Sequence, residues 1–345
     1  MARNDFDGIA AQVAEIVRDT GLSGVVRIDL EGRPAVELAV GFAHRGLGVA
    51  NTLETQFAVA SGAKGFTALT IMSMVERGEI RLDTTARSIL GTDLPLIDDA
   101  VTVEQLLTHR SGIGDYLDED EVADPLAYVL TVPAHELVTT EHYLAVLDGH
   151  PAAFAPGERF VYNDGAFVVL ALLAERASGI PFHDLVTERV CAPAGMTNTA
   201  FLRSDELPGG AALGYLENTG LRTNGFHLPV RGSGDGGIYT TAADVHALWD
   251  ALFAGRIVSP ETVAMMVHPH PDVPAGQSPY GLGLWVGLPE DASSDAVSIH
   301  GFDVGVGFVS TRDPGGRFTV TVICNQTRGG WPTSARLLAL VAPSG

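Results

Sequence analysis

The sequence predicts an α/β (α+β) fold in which an antiparallel sheet, built from strands near both ends of the chain and flanked by helices, carries a mostly helical inserted lobe. β-rich runs occur at 24–42 and again after residue 279, while helix and loop patterns fill the stretch between them. The 46% hydrophobic content is ample for a large core. We therefore expect one discontinuous α/β lobe from residues 1–84 and 276–345, a helical lobe from 85–275, and a site where they meet.

The N-terminal part begins with an amphipathic helix over Asp7–Thr20, followed by a hairpin. Strands at Gly24–Asp29 and Ala35–Phe42 are joined by a turn in which Gly32 is free to adopt a positive φ. A short strand at Phe57–Ala60 then leads into a segment that is apolar on nearly all sides. Such a pattern is typical of a buried helix.

The middle and the end of the chain are assigned from periodicity and capping signals. A glycine-rich stretch at 232–237 contains no lysine and is interpreted as a tight loop rather than a phosphate cradle, and 115–125 is interpreted as an acidic loop. Strands return at 280–288, 304–310 and 317–325, the last two joined by a turn at 313–316. The predicted helices cover 101–107, 165–177, 182–191, 241–253 and 331–341.

Ser61 and Lys64 lie at the start of the predicted buried helix and are its candidate reactive residues. Residues three apart share a helix face, so the hydroxyl and the amine can touch. Lys64 is the only lysine among 21 basic residues, and arginine, unlike a buried lysine, cannot become a neutral base. We therefore interpret Ser61 as a nucleophile and Lys64 as its neutral activating base. The alternative is a helix-capping serine beside a lysine that extends towards solvent.

Two further blocks contain candidate site residues. In the first, Tyr162 can move protons beside a lysine, and Asn163 or Asp164 can orient that lysine or a substrate amide. Equally, Asp164 can cap the following helix and Tyr162 can be a packing residue. In the second, Gly301 at a strand edge can bring a backbone N–H against a bound carbonyl oxygen, next to His300.

These blocks, taken in order, resemble the serine β-lactamase and penicillin-binding-protein superfamily, in particular its class C β-lactamase, family VIII carboxylesterase and D-aminopeptidase branch. The resemblance covers nearly the whole chain. It implies a β-lactamase/transpeptidase-like fold, with Ser61 as acyl-enzyme nucleophile, Lys64 as its partner and Tyr162 as base. It also implies an oxyanion hole made by the N–H groups of Ser61 and of a residue near Gly301, for which we favour Phe302. The matching segments are FAVASGAKGFTALTIM, LDTTARSIL, VTVEQLLTHRSGI, PGERFVYNDGAFVVLALLAERASGIPF, APAGMTNTAF, GSGDGGIYTTAADV and YGLGLWVG.

The chain departs from the family pattern twice. Asp164 stands where the family has asparagine in Tyr-x-Asn, and a carboxylate there would favour the ammonium form of Lys64, leaving more of the proton transfer to Tyr162. In the third motif, Lys/His-x-Gly, aligning Gly301 places Ile299 where a cation is expected; a shifted alignment would place His300 there. Without that cation, neutral esters, amides or end-blocked peptides are favoured as substrates, unless Arg231 or Arg328 replaces it.

Charge and composition limit the other partners. The net charge of −21 argues against nucleic acid and anionic membranes. Cys191 and Cys324 suggest packing rather than a disulfide framework. No metal motif is present, and we expect no metal and no cofactor. The sequence shows no signal peptide, so a cytoplasmic location is expected, and the oligomeric state stays open.

Together these features predict a serine hydrolase that cleaves an ester or amide of a small molecule or short peptide. Esterase or amidase activity leads, followed by D-aminopeptidase or D,D-peptidase and then true β-lactamase. Acyl transfer in biosynthesis and a non-catalytic binding or sensor domain stay open as alternatives.

Overall fold

In the computed structural model, which describes residues 3–117, 125–270, 273, 278–288 and 294–342, a six-stranded antiparallel sheet has the order β2-β1-β10-β9-β8-β7. Part of the expected acidic loop, residues 118–124, lies outside the described residues. The strands are β1 Gly24–Leu30, β2 Arg33–Val40, β3 Phe42–His44, β4 Val49–Ala50, β5 Phe57–Ala58, β6 Tyr239–Thr240, β7 Trp285–Val286, β8 Val297–Asp303, β9 Val306–Arg312 and β10 Phe318–Cys324. The α-helices are α1 Arg3–Thr20, α2 Ala63–Glu76, α3 Ala86–Leu90, α4 Val103–Leu107, α5 Leu144–Leu147, α6 Asp164–Ser178, α7 Phe182–Val186, α8 Ala192–Ala194, α9 Ala242–Phe253, α10 Pro260–Met266 and α11 Gly330–Val341.

The sheet joins the two ends of the chain, as the sequence predicts. Strand β1 pairs with β2 on one side and with β10 on the other. The β1–β2 turn places Glu31 and Gly32 at φ values of 50° and 70°, a geometry that a hairpin with two left-handed turn residues requires. All seven residues of β10 are buried, because both faces of the sheet are covered by helices.

The two faces of the sheet pack against different helices. On one face, Val26 of β1 and Val322 of β10 share a hydrophobic cluster with Val13 of α1 and Leu337 of α11. The opposite face contributes Val25 and Ile323 to a larger cluster with α2, α4, α6 and α9. The larger cluster draws residues from both expected lobes, and the division at 84/85 and 275/276 stays a prediction.

Helices α2 and α6 lie at the centre of the larger cluster. Twelve of the fourteen residues of α2 are buried, which explains why its sequence is apolar on every side. Helix α6 begins one residue earlier than predicted and ends at Gly179, which adopts a left-handed φ of 70°. Asn163 caps its first turn, accepting a hydrogen bond from the Ala166 N–H at 2.7 Å.

The C-terminal strands differ from the sequence-based assignment. Residues 297–303, expected to precede a strand at 304–310, form β8, and β9 follows after a turn in which Gly305 has a φ of 75°. The predicted strand 280–288 is reduced to the two residues of β7, since Tyr280 makes only an isolated bridge. Within the described residues no single helix is long and apolar enough to cross a membrane; only α6 taken together with the 182–194 segment, at an 88° bend, meets that criterion, and α6 is largely buried.

Candidate active site

Ser61 lies in a tight turn between strand β5 and helix α2. Residues Ala60–Gly62 form a single 3-10 turn, and Ala60 adopts a φ of 46°, a conformation that costs energy for a residue with a side chain. Lys64 follows on the first turn of α2, with its Nζ 3.0 Å from Ser61 Oγ. The structure therefore brings together the pair that the sequence predicts.

The amine of Lys64 is buried and fully hydrogen-bonded. Only 2% of the residue is exposed, and its three N–H bonds match three acceptors: Ser61 Oγ, the Asp164 carboxylate and the backbone oxygen of Asp235 at 3.2 Å. Burial acts to lower the pKa of Lys64, but the charges of Asp164, Tyr162 and Asp235 raise it well above its ordinary value. These charges favour the ammonium form of Lys64 in the substrate-free protein, and its role as a neutral base stays a prediction.

The two residues after Tyr162 take different positions among the alternatives that the sequence left open. Asn163 was predicted to orient substrate, but its Oδ1 caps α6 and its Nδ2 donates to the Ile113 carbonyl at 3.0 Å. Asp164, which the sequence offered both as the cap and as a group orienting the lysine, faces Lys64. The correction has a simple cause, because the helix begins at Asp164 and the residue before it holds the capping position.

Tyr162 lies on the other side of the ammonium. The Lys64 Nζ is 4.9 Å from the centre of the Tyr162 ring. Two more rings hold this tyrosine in place: His109, with ring centres 4.3 Å apart, and Trp285, nearly parallel at 6.3 Å. His109 Nδ1 accepts a hydrogen bond from the Asn163 N–H, so the buried imidazole also positions the backbone that follows Tyr162.

Strand β8 closes the site at Gly301. A Cβ at this position would overlap the Val59 carbonyl oxygen and would lie 2.7 Å from the Gly62 nitrogen, so only glycine lets the strand approach the Ser61 turn this closely. Ile299, two residues earlier, packs against Gly65 of α2. This arrangement supports the alignment that uses Gly301 as the motif glycine and leaves Ile299, not a cation, at the first position.

His300 points away from the Ser61 turn. Its ring is nearly parallel to Trp285 at 5.8 Å and perpendicular to Trp331 at 5.1 Å. Burial lowers the pKa of His300 to about 4, so the ring is neutral near pH 7. A neutral ring does not supply the positive charge expected of the third motif.

The two arginines considered as replacements also lie elsewhere. Arg231 donates from its Nε to the Phe201 carbonyl at 3.0 Å, and Arg328 is exposed and lines neither of the two cavities beside Ser61. Within the described part of the chain, no group of three His, Cys, Asp or Glu side chains is arranged to hold a metal ion.

Two cavities meet at Ser61 and Phe302. The first, which we call the tyrosine cavity, has a volume of about 310 Å³. The second, the tryptophan cavity, has a volume of about 480 Å³ and includes Tyr162 in its wall. The tyrosine cavity is defined by Tyr116, Tyr128, Tyr143, Asp164, Asp235 and Tyr239 among its lining residues, and the tryptophan cavity by Phe154, Phe160, Tyr162, Trp285, His300 and Trp331. If the scissile bond of a substrate lies at Ser61, the acyl part would occupy one cavity and the leaving group the other.

Sequence reasoning missed a pair of residues in the tyrosine cavity. Asp235 belongs to the glycine-rich stretch 232–237, which is the expected tight loop: Gly237 has a φ of 85°, and a Cβ at Gly232 would lie 2.5 Å from its Cα. The Asp235 carboxylate accepts a short hydrogen bond from the Tyr116 hydroxyl. A single acidic residue among four glycines was the available signal, since such loops bring backbone and side chain close to a ligand.

The site contains three carboxyl groups, those of Asp115, Asp164 and Asp235, and one amine, that of Lys64. Burial and the charge of Asp164 raise the pKa of Asp115 to about 7, although its carboxylate accepts the N–H groups of Asp164 and Gly165 at the start of α6. Burial, partly offset by Lys64, and the charge of Asp164 raise the pKa of Asp235 to about 6. One ammonium therefore faces three carboxyl groups.

Comparison with known proteins gives a consistent result. The family model "Beta-lactamase" matches residues 9–342. The crystal structure of a penicillin-binding protein from Bacillus halodurans superposes with a TM-score of 0.88 and 35% identity, covering 95% of this chain and 99% of that one.

Two curated relatives match over shorter stretches of their own length. The putative penicillin-binding protein PbpX of Bacillus subtilis is 25% identical, covering 91% of this chain and 73% of its own. Esterase EstB of Burkholderia gladioli is 29% identical, and the match covers 72% of this chain and 70% of the esterase.

These matches confirm the predicted mixed α/β fold with an antiparallel sheet, and the predicted resemblance. They also confirm the class of serine hydrolase at the level of the family. The chain belongs to the beta-lactamase family.

Proposed function

We propose that this protein cleaves an ester or amide bond of a small molecule or short peptide through a covalent acyl-enzyme on Ser61. The observation that carries the proposal is the contact of Ser61 Oγ with the buried Lys64 ammonium at the junction of two cavities. The esterase among the relatives supports the class of bond. The absence of the third-motif cation from both cavity walls favours substrates that carry no carboxylate.

The chemistry needs a nucleophile, a base and an oxyanion site. Ser61 Oγ attacks the carbonyl carbon, its proton passes to the phenolate form of Tyr162, and the N–H groups of Ser61 and Phe302 hold the oxyanion. Tyr162 then gives the proton to the leaving group, and water releases the acyl group by the reverse sequence. Lys64 stays charged throughout, and its field stabilises the phenolate of Tyr162 before the attack and the nearby oxyanion after it.

The test is a fluorophosphonate probe read by intact mass, together with turnover of 4-nitrophenyl acetate. We expect one adduct on Ser61 and turnover in the natural protein, and neither in Ser61→Ala. Ser88→Ala serves as the matched control, because Ser88 is an exposed serine that lines neither cavity beside Ser61. A panel of 4-nitrophenyl esters, D- and L-amino-acid anilides and a chromogenic cephalosporin then ranks the bond types. No adduct and no turnover would contradict the proposal and favour a non-catalytic binding protein.

A further inference from the structure

We propose that the tyrosine cavity is a receptor for a primary ammonium group on the acyl part of the substrate, with Asp164 and Asp235 as its binding carboxylates. This inference rests on the proposed function, since it needs Ser61 as the point of attack. It goes beyond that function by naming a charged substrate class, where the sequence favoured neutral ones.

The cavity wall has carboxylates without a basic side chain. Asp164, Asp235 and Asp303 line it, and among the described lining residues there is no lysine or arginine. Lys64 lies behind the wall, with only 2% of its surface exposed. An anionic substrate group would therefore meet repulsion here, whereas a cation would meet attraction.

One carboxylate oxygen in this wall lacks a hydrogen bond. Asp164 is 3% exposed, and its Oδ1 binds Lys64. Its Oδ2 has no hydrogen-bond partner among the described residues. A buried charged oxygen without a donor costs free energy, and such groups are kept where function supplies the missing partner.

Asp235 offers the second acceptor. Its carboxylate already accepts the hydrogen of Tyr116, and the charge of neighbouring Asp164 raises its pKa together with burial. Because Lys64 and the Tyr116 hydrogen bond offset burial and the charge of Asp164 only in part, the negative charge of ionised Asp235 is incompletely balanced within the protein. A primary ammonium would balance it and can donate three hydrogen bonds, whereas a quaternary ammonium has none to donate.

The position of Tyr162 decides which part of the substrate enters this cavity. Tyr162 lines the tryptophan cavity, so a leaving group that takes its proton departs on that side. The acyl part then occupies the tyrosine cavity, beyond Ser61. The ammonium would therefore stay on the acyl-enzyme after the first product leaves.

Pairs of substrates that differ only in charge test the proposal. The pairs are 4-nitroanilides of alanine and isobutyric acid, of 3-aminopropanoic and butanoic acid, and of 4-aminobutanoic and pentanoic acid, in which a methyl group replaces the ammonium. For each pair we take the ratio of kcat/KM, charged over neutral, in the natural protein and in Asp235→Asn. Comparing the two ratios cancels the intrinsic reactivity of the amides. Should only esters turn over, the phenyl esters of the same acids replace the anilides.

We expect at least one pair to show a ratio that falls tenfold or more in Asp235→Asn. Asp205→Asn is the matched control, because it removes the same charge from an exposed position paired with Arg203 and should leave the ratio unchanged. In the natural protein, butylammonium should also inhibit 4-nitrophenyl acetate hydrolysis competitively, at lower concentration than 1-butanol. That measurement does not depend on the folding of a variant.

Two results would overturn the inference while the proposed function stands. One is a charge ratio equal in the natural protein and Asp235→Asn for every pair; the other is equal inhibition by butylammonium and 1-butanol. Both require an intact Ser61 adduct and turnover of 4-nitrophenyl acetate. Loss of the adduct itself would instead contradict the proposed function.

Discussion

At the scale of single residues, the charge of Lys64 governs how the site can work. Its three hydrogen bonds go to a serine hydroxyl, a carboxylate and a backbone carbonyl, all of which accept and none of which needs the amine to be neutral. The Asp164 carboxylate stabilises the ammonium against the cost of burial. Lys64 therefore acts through its field and its hydrogen bonds, and Tyr162 is left as the group that moves the proton.

Replacing Asp164 by asparagine tests this assignment. Burial lowers the pKa of Lys64 and the charge of Asp164 raises it, so removing that charge should lower the pKa of Lys64. Above the lowered pKa the lysine is neutral, so activity should be lost at lower pH than in the natural protein. We expect the alkaline limb of the kcat/KM profile for 4-nitrophenyl acetate to move down by at least one pH unit, with a lower maximum.

The exposed Asp83→Asn variant controls for the change in net charge and should keep the natural profile. Activity in Asp164→Asn that instead increases with pH above the new pKa would show that the neutral amine is the base. That result would support the hypothesis drawn from the sequence.

At the scale of secondary-structure elements, the site depends on how closely β8 approaches the turn before α2. Gly301 allows the approach, and the Phe302 amide is the next group along the strand. Ile299 packs on Gly65 from the same strand, so two glycines, one on each element, permit the contact. The oxyanion site proposed above therefore depends on the contact between β8 and the turn before α2, and not on one residue alone.

The variant Gly301→Ala should separate the strand from the Ser61 turn. The added methyl group would overlap the Val59 carbonyl, and we expect a loss of about 1–3 kcal/mol in the free energy of unfolding. Because the Phe302 amide moves with the strand, kcat should fall at least tenfold while KM changes less. Thermal unfolding and steady-state kinetics measure the two effects.

Gly209→Ala provides the control, since no atom lies within 4 Å of a Cβ at that position. Gly301→Ala with natural kcat would show that the β8 amide does not contribute to the oxyanion site.

At the scale of the whole molecule, the burial of the Asp235 carboxylate makes the free energy of unfolding depend on pH. Asp235 has a pKa of about 6 in the folded protein, above its ordinary value of 3.8. The folded state therefore binds more protons than the unfolded state between these values, and the contribution of Asp235 to stability decreases as the pH rises through 6. Burying this carboxylate is unfavourable at neutral pH in the absence of a cationic ligand.

We accordingly expect Asp235→Asn to raise the free energy of unfolding by about 1–3 kcal/mol at pH 8 and to change it little at pH 4. Asparagine keeps an acceptor for the Tyr116 hydroxyl. Urea unfolding at the two pH values measures the difference, and Asp205→Asn should show none. A destabilised Asp235→Asn at pH 8 would mean that the ionised carboxylate is already compensated in the folded protein.

Local features were predictable because they depend on neighbouring residues. The Ser61–Lys64 contact follows from helix geometry, the burial of α2 from its lack of a polar face, and the β1–β2 hairpin from its glycine. Errors arose at element limits: Asn163 holds the cap for which Asp164 was one candidate, and β8 was taken as the segment preceding a strand. The position of a helix cap or a strand end can shift by one or two residues without changing the pattern of apolar and polar side chains, so the sequence locates it poorly.

By itself, then, the sequence determined the family fold, through matching segments along nearly the whole chain, and the serine–lysine pair, which lies within four consecutive residues. Only the tertiary structure showed the Asp164 carboxylate, 100 positions away along the chain, in contact with the Lys64 amine. It likewise decided the acidic cavity, where Tyr116 and Asp235 meet across 119 positions. Such pairs form when packing excludes water and brings distant segments together, and the same exclusion of water makes their charges strong enough to matter.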